Sequence, residues 1–262
     1  MITKVKSLLF GLLKIDGYLT VVQKSYLAAF RLGLLKNNPS YKWHYFVQRF
    51  LQDGDHIIDI GSNLGYFTTQ FAEKVKNGGH LYCVEPVQPF QNQLKKLIAG
   101  KTNVTLLPFA LGEENDKQVT LGIPADFQKL GYLRHGTTTL LHGGNRADGK
   151  YSFEATMKRG SDLFNNLPKL DYIKCDIEGY ETVVFPEMRN IIEKYQPIVQ
   201  LETWGEQLST MYQFFKDLKF DAYFLEAEKL YPLEKKPQKS WADSDILFVP
   251  EIKKERVTPF LG

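Results

Sequence analysis

His56-Ile57-Ile58-Asp59-Ile60-Gly61-Ser62-Asn63-Leu64-Gly65 is the stretch that decides how this 262-residue chain is read. A short apolar run carries one acid and breaks into Gly-x-x-x-Gly. Such a run predicts a strand buried on both faces. Gly61 and Gly65 lack side chains, so the turn can be tight and a ligand can approach the backbone. Residues 66–76 then predict a helix. Working outward, 81–85 and 104–107 predict strands with a helix at 89–98 between them. The alternation resumes with strands at 172–176, 197–202, 222–225 and 245–249 and helices at 181–195 and 206–218. Strand–helix alternation at short spacing predicts an α/β fold with a mostly parallel sheet.

Two regions depart from this rhythm. Residues 112–160 are rich in glycine, threonine and aromatics, and predict short antiparallel strands in an inserted, lid-like segment. Residues 1–50 predict a helical extension, with helical runs near 7–13 and 20–36 and a stop at Asn37-Asn38-Pro39. The main domain is expected over 51–250, with a polar tail at 251–262. The charge divides along the same line. The chain has 33 Lys+Arg and 30 Asp+Glu, a net +3. Residues 1–50 hold eight basic residues and one acid, Asp16, a local +7, which leaves −4 for the rest. A net +3 is too weak for a nucleic-acid binder. Cys83 and Cys175 sit in apolar runs without metal-type spacing, which argues against a disulfide scaffold or zinc. No stretch reaches the roughly 18 apolar residues that span a bilayer. The apolar stretch at 8–13 is short for a signal peptide and lacks a cleavage site. A cytoplasmic protein is expected, with peripheral contact at an inner membrane surface if the extension meets lipid.

The glycine turn is not a dinucleotide fingerprint, which needs Gly-x-Gly-x-x-Gly over a pyrophosphate. Asn63 occupies the middle-glycine position. A ligand without a pyrophosphate fits better, and Asp59 is placed to accept from a cationic amine. Glu85 ends the next strand, 26 residues after Asp59, where a carboxylate can accept from both ribose hydroxyls. Pro86 stops that strand.

These pieces resemble class I S-adenosylmethionine-dependent methyltransferases. Asp171-Tyr172-Ile173-Lys174-Cys175-Asp176-Ile177-Glu178-Gly179-Tyr180-Glu181 narrows the likeness: it resembles the (I/L)K-x-D-x-E-G-x-E signature of the FkbM family. Asp53-Gly54-Asp55, Ala110-Leu111-Gly112 and Gln200-Leu201-Glu202 match in the same order. The resemblance covers about residues 50–250 and implies a Rossmann-like sheet of about seven strands. It also implies S-adenosylmethionine as cofactor. Asp59, Gly61, Ser62, Asn63 and Gly65 would line its methionine and ribose side. Glu85 and Pro86 would hold the ribose, and Ala110 would lie near the adenine. Pro108-Phe109 replaces a polar residue of many relatives, so the adenine contact is expected to be apolar or main-chain. The acceptor would be a hydroxyl on a sugar, glycolipid, polyketide or similar molecule, lipid-linked or free.

Methyl transfer to a hydroxyl needs alignment and a base. Asp176 (also a cofactor-site candidate), Glu178, Glu181 and Glu202 are the catalytic candidates, and the residues do not choose among them. Glu178 is expected on the side of Asp176 if the chain stays extended. Glu181 suits the first turn of a helix. The same acids could hold a divalent metal through oxygen, although no residue pattern requires one. Lys174 either reaches this cluster or is solvated. His135, His142, Arg134 and Arg146 are secondary candidates in the insert. The aromatics at 41–50 are expected to pack over the sheet or cap the cofactor pocket. The first 36 residues either dock on the domain or lie on an anionic membrane. The rival readings are a nucleotide-dependent oxidoreductase and a non-catalytic cofactor-binding scaffold at a membrane surface.

Overall fold

The computed structural model describes residues 2–123, 132–133, 135–140, 151–236 and 244–262. Its centre is β1 (His56–Ile60), buried along its whole length. Ile58 and Ile60 point into one core cluster, and Ile57 points into the other. This is the two-sided burial that a continuous apolar run demands. Asp59 shares the face of Ile57 by strand alternation.

The strands of the large sheet are β1, β2 (His80–Val84), β3 (Val104–Leu107), β8 (Tyr172–Cys175), β9 (Ile198–Thr203), β10 (Phe220–Glu226), β11 (Lys229–Pro232) and β12 (Ser244–Pro250). They lie in the order β11-β10-β12-β9-β8-β1-β2-β3. Pairings among β3, β2, β1, β8 and β9 are parallel, and those of β10, β11 and β12 are antiparallel. The sheet grows from β1 toward β3 and then restarts on the other side of β1 with β8. That reversal is a switch point, and ligands in open α/β sheets bind beyond the carboxyl ends of the strands there.

This sheet has eight strands where about seven were expected. The extra one is β11, reached through Ala227 and Glu228, both at positive φ (46° and 61°). A two-residue turn of this handedness normally carries Asn-Gly or Asp-Gly. Ala-Glu gives no such signal, so the hairpin is silent in the sequence.

A second sheet has the order β4-β7-β5-β6, from β4 (Ala110–Leu111), β5 (Lys117–Gly122), β6 (Thr139–Leu140) and β7 (Ser152–Lys158). It shares a core with the N-terminal helix α1 (Ile2–Arg31): Tyr18 and Leu19 of α1 pack with Leu121, Ile123, Leu133 and Tyr151. Helix α1 is broken at Lys14 (φ 54°, ψ −171°). It ends before Gly33, whose φ of 72° suits a helix terminator, and thus earlier than Asn37-Asn38-Pro39. Those residues instead begin a short 3-10 turn in which Asn38 accepts from the Ser40 amide. Helix α2 (Lys42–Phe46) follows. Trp43, Phe46 and Phe50 pack with Phe71 and Tyr172 on the sheet. The last residues are polar in composition yet docked. Arg256 bonds both oxygens of Asp55 at 3.0 Å, and Leu261 bridges to Leu230. No described helix is long and apolar enough to cross a membrane.

Candidate functional site

At the switch point the turn that follows β1 passes close to the chain that follows β8. Gly61 has φ 77°, and a Cβ there would lie 1.9 Å from the Asp176 carbonyl oxygen. Its glycine is therefore required by the neighbouring strand as much as by any ligand. Gly65 is explained differently. It stands at φ 79°, and a Cβ would meet Leu97 at 2.4 Å and Leu94 at 2.9 Å, on helix α4 (Gln88–Ile98). It serves packing between α4 and helix α3 (Tyr66–Lys74), away from the cleft. Ser62 closes the turn by donating to the Asp59 carbonyl at 2.7 Å.

A cleft opens beyond these strand ends. Its floor includes Gly61, Asn63, Glu85, Pro86 and Asp176. Phe109, Ala110 and Leu111 form an apolar wall, and Ile177, Glu178 and Tyr180 stand at the acidic end. Leu121 and Leu140 of the second sheet close it from above, with His135 and Thr138 of the turn that leads into β6. His135 is held there by Asn63, whose side-chain amide donates to its carbonyl at 2.9 Å and whose Oδ1 lies 3.1 Å from Nδ1. Burial, then Lys6, lowers its pKa to about 4, so it is neutral at pH 7. Thr139 donates to the Glu178 carbonyl at 2.9 Å. His142, Arg134 and Arg146 lie outside the described residues.

Glu85 is buried, 4% exposed. Its two oxygens accept from the backbone amides of Asn63 (2.7 Å) and Val87 (2.8 Å). Burial still wins over those amides and raises its pKa to about 7. Each carboxylate oxygen has two acceptor sites, so one remains on each. Asp59 is fully buried and does not line the cleft. Thr68 of α3 donates to its Oδ2 at 2.7 Å, while Oδ1 has no hydrogen-bond partner among the described residues. Burial raises its pKa, and Lys174 opposes that.

The second half of the site surrounds Lys174, which is 3% exposed. Its ammonium lies 3.0 Å from Asp176 Oδ2. Burial alone would lower its pKa, but Asp176 and Asp59 outweigh it, so the net shift is upward. It is thus buried and charged, not solvated. For Asp176 burial opposes ionisation, yet Lys174 and a hydrogen bond from Glu202 hold its pKa below the usual carboxylate value. Glu202 is the other member of the pair. Burial and the charge of Asp176 push it up to about 10. Burial and the neighbouring charge thus favour the protonated form of Glu202 beside an ionised Asp176. Asp245, opposite Glu202 on β12, is also raised, chiefly by burial. His44 of α2 feels this cluster too: burial, then Lys174, lowers its pKa to about 3.

Glu178 reaches the cluster by an unexpected route. The strand stops at Cys175, and Glu178 sits at φ 57° with Gly179 at φ 106°. The chain is not extended there. The left-handed turn still brings carboxylate oxygens of Asp176, Glu178 and Glu202 within 4.8 Å of one another. Three oxygens so spaced also suit a divalent cation, but Lys174 already balances the charge of Asp176. Glu181 does not join them. It begins helix α6 (Glu181–Glu187; α5 is Gly160–Leu163). It is fully buried, and its Oε1 accepts from the Ile177 amide at 3.0 Å. It holds the turn that presents Asp176 and Glu178. Cys83 and Cys175 are buried and free, on the two strands that flank β1. Sequence reasoning missed Asp245, His44 and Phe90, the last of which also lines the cleft. An acid opening the last strand was the only available signal for Asp245.

The residues fit the cofactor implied by the sequence resemblance. Glu85 keeps free acceptor sites toward a ribose, Phe109 and Leu111 offer an apolar wall to an adenine, and Gly61 lines the cleft at the turn. Asp59 and Gly65 would act from behind the turn.

A family profile described as the methyltransferase FkbM domain matches residues 59–222. Protein-L-isoaspartate O-methyltransferase of Methanosarcina mazei is 41% identical over 59 residues, 22% of this chain and 24% of that protein. The structure of methyltransferase FkbM from Methylobacillus flagellatus KT aligns with TM-score 0.49 and 14% identity, covering 75% of this chain and 44% of that one. Aeropyrum pernix fibrillarin in complex with S-adenosyl-L-methionine aligns with TM-score 0.42 and 9% identity, covering 76% and 68%. The chain thus spans less than half the length of the first two relatives. The family profile takes in the glycine turn, the buried Glu85 and the acidic edge in one continuous match over more than half of the chain, which belongs to the FkbM methyltransferase family.

Proposed function

We propose that this chain transfers a methyl group from S-adenosylmethionine to a hydroxyl of a sugar, glycolipid, polyketide or similar acceptor. The observation that carries the reading is one cleft lined by both Glu85 and Asp176, with Lys174 behind Asp176 at 3.0 Å. When bound, the cofactor supplies a methyl group on a sulfonium, a centre that an oxygen can attack directly.

The chain's residues supply the rest. Glu85 accepts from the ribose hydroxyls with the sites its backbone donors leave free. Phe109 and Leu111 exclude water from the adenine end. Asp176 is the base. Lys174 keeps it ionised, and it faces the cleft. A carboxylate of low pKa is a weak base, but an alcohol oxygen becomes strongly acidic as its bond to the methyl carbon forms. An ionised, fixed acceptor at that oxygen is therefore sufficient. Glu202 keeps its proton and steadies Asp176 through their hydrogen bond. The roof of His135, Thr138 and Leu140 shields the charges from water and strengthens them.

Calorimetry with S-adenosylmethionine and with NAD tests the cofactor. Binding of the former that weakens in Glu85→Ala, with none of NAD, is expected. NAD binding alone would return the oxidoreductase reading. Product formation on a panel of sugar and lipid acceptors then tests the chemistry. Tight cofactor binding with total inactivity on the panel would favour a scaffold.

A further inference from the structure

Helix α1 has two apolar faces before its break at Lys14. One faces the protein. Phe10 packs edge-on against Tyr18 at 5.2 Å and Tyr151 at 5.9 Å. Lys6 lies over the Tyr132 ring at 5.4 Å. The other face has no cover among the described residues. Val5, Leu8 and Leu12 are 51%, 64% and 71% exposed, at a spacing of three and four residues that puts them on one stripe. Water-facing apolar stripes of this kind mark an interaction surface.

The charge around the stripe identifies the occupant. Lys4 and Lys14 are exposed on the same segment, and Asp16 is the only acid in the first 50 residues, which carry +7. A second copy would bring two strongly positive surfaces together. A surface that is apolar within and negative at its face answers both features. We infer that the segment 2–13 lies in the plane of an anionic phospholipid surface, with Val5, Leu8 and Leu12 among the acyl chains and Lys4 and Lys14 at the phosphates.

The packing gives this contact a consequence. Phe10, Tyr18, Leu121, Leu140 and Phe90 belong to one core cluster. The same Leu121, Leu140 and Phe90 line the cleft. A helix lying on lipid through its outer face therefore holds the roof of the cleft beside the headgroups through its inner face. The inference stands apart from methyl transfer, because lipid binding is read without turnover.

The test is co-sedimentation of the full chain with vesicles of phosphatidylcholine alone and of phosphatidylcholine mixed with phosphatidylglycerol. Binding to the mixed vesicles only, released by salt, is expected. Combined Val5→Ser, Leu8→Ser and Leu12→Ser should weaken it by more than about tenfold through lost apolar burial. Lys4→Glu with Lys14→Glu should weaken it by about tenfold or more. All five side chains are exposed, so both variants should keep the parent circular dichroism and melting temperature. If the serine variant unfolds, the charge variant decides. No binding to either vesicle, undiminished binding of both folded variants, or self-association that the serine variant abolishes without any lipid binding would overturn the inference.

Discussion

The two ends of the cleft solve the same problem differently. Glu85 and Asp176 are both acids at the carboxyl end of a parallel strand, and both face the cleft. Glu85 is compensated chiefly by two backbone amides, with Lys174 a weaker and more distant help, and burial leaves its pKa near 7. Asp176 has a buried ammonium at 3.0 Å and stays ionised. Amide dipoles and a distant cation do not repay the loss of water around a buried charge, whereas a full positive charge in direct contact does. The amide-held end suits a group that must accept from hydroxyls. The lysine-held end suits a group that must be charged when a proton arrives.

The largest test of this contrast is Asp176→Asn. It keeps the shape and removes the base, so kcat should fall by about 10²–10⁴-fold, with cofactor affinity little changed by calorimetry. Next comes Lys174→Met. It leaves Asp176, whose side chain is 35% exposed at the cleft, beside Glu202 without its cation, and chemical denaturation should show a loss of about 2–3 kcal/mol, less than for a fully buried pair. The corresponding change at the other end is smaller. Glu85→Gln should weaken cofactor binding by about ten- to a hundredfold, the range of one to two hydrogen bonds to a charged group. The pH dependence sharpens it. A pKa raised to about 7 means that the ionised form is lost as pH falls through 7. Cofactor affinity of the parent should then decline below pH 7, by at most about tenfold per unit, and the profile of Glu85→Gln should be flat. The smallest effect is expected at Glu181→Gln. Its Oε1 holds the Ile177 amide and lines no part of the cleft. Glutamine retains an acceptor, so stability should change by about 1 kcal/mol or less and kcat should stay close to the parent value. A large fall in kcat would move Glu181 into the chemistry.

Much of this was legible in the residues, because periodicity and turn chemistry are local. The apolar run of β1, its glycine turn and the acid closing β2 each announce themselves within ten residues. Elements with weak local signals were not legible. Strand β11 hangs on an Ala-Glu turn, and the two-residue β4 is held by its pairing to β7. The end of α1 was displaced because Gly33 acted before the asparagines.

At the site the division is finer. Composition and spacing by themselves determined that a strand-end acid follows a glycine turn, that an acidic segment follows a later strand, and that positive charge is concentrated in the first fifth of the chain. Only the tertiary structure decided what each residue does. Gly61 and Gly65 look alike in sequence, yet one clears the Asp176 backbone and the other clears α4. Glu178 and Glu181 are three residues apart, yet one joins the carboxylate cluster and the other braces the turn behind it. Lys174 became a buried counter-ion because its neighbours on both adjacent strands removed water from it. Protonation and packing depend on what surrounds a group in space, and those surroundings come from parts of the chain that lie far apart in sequence.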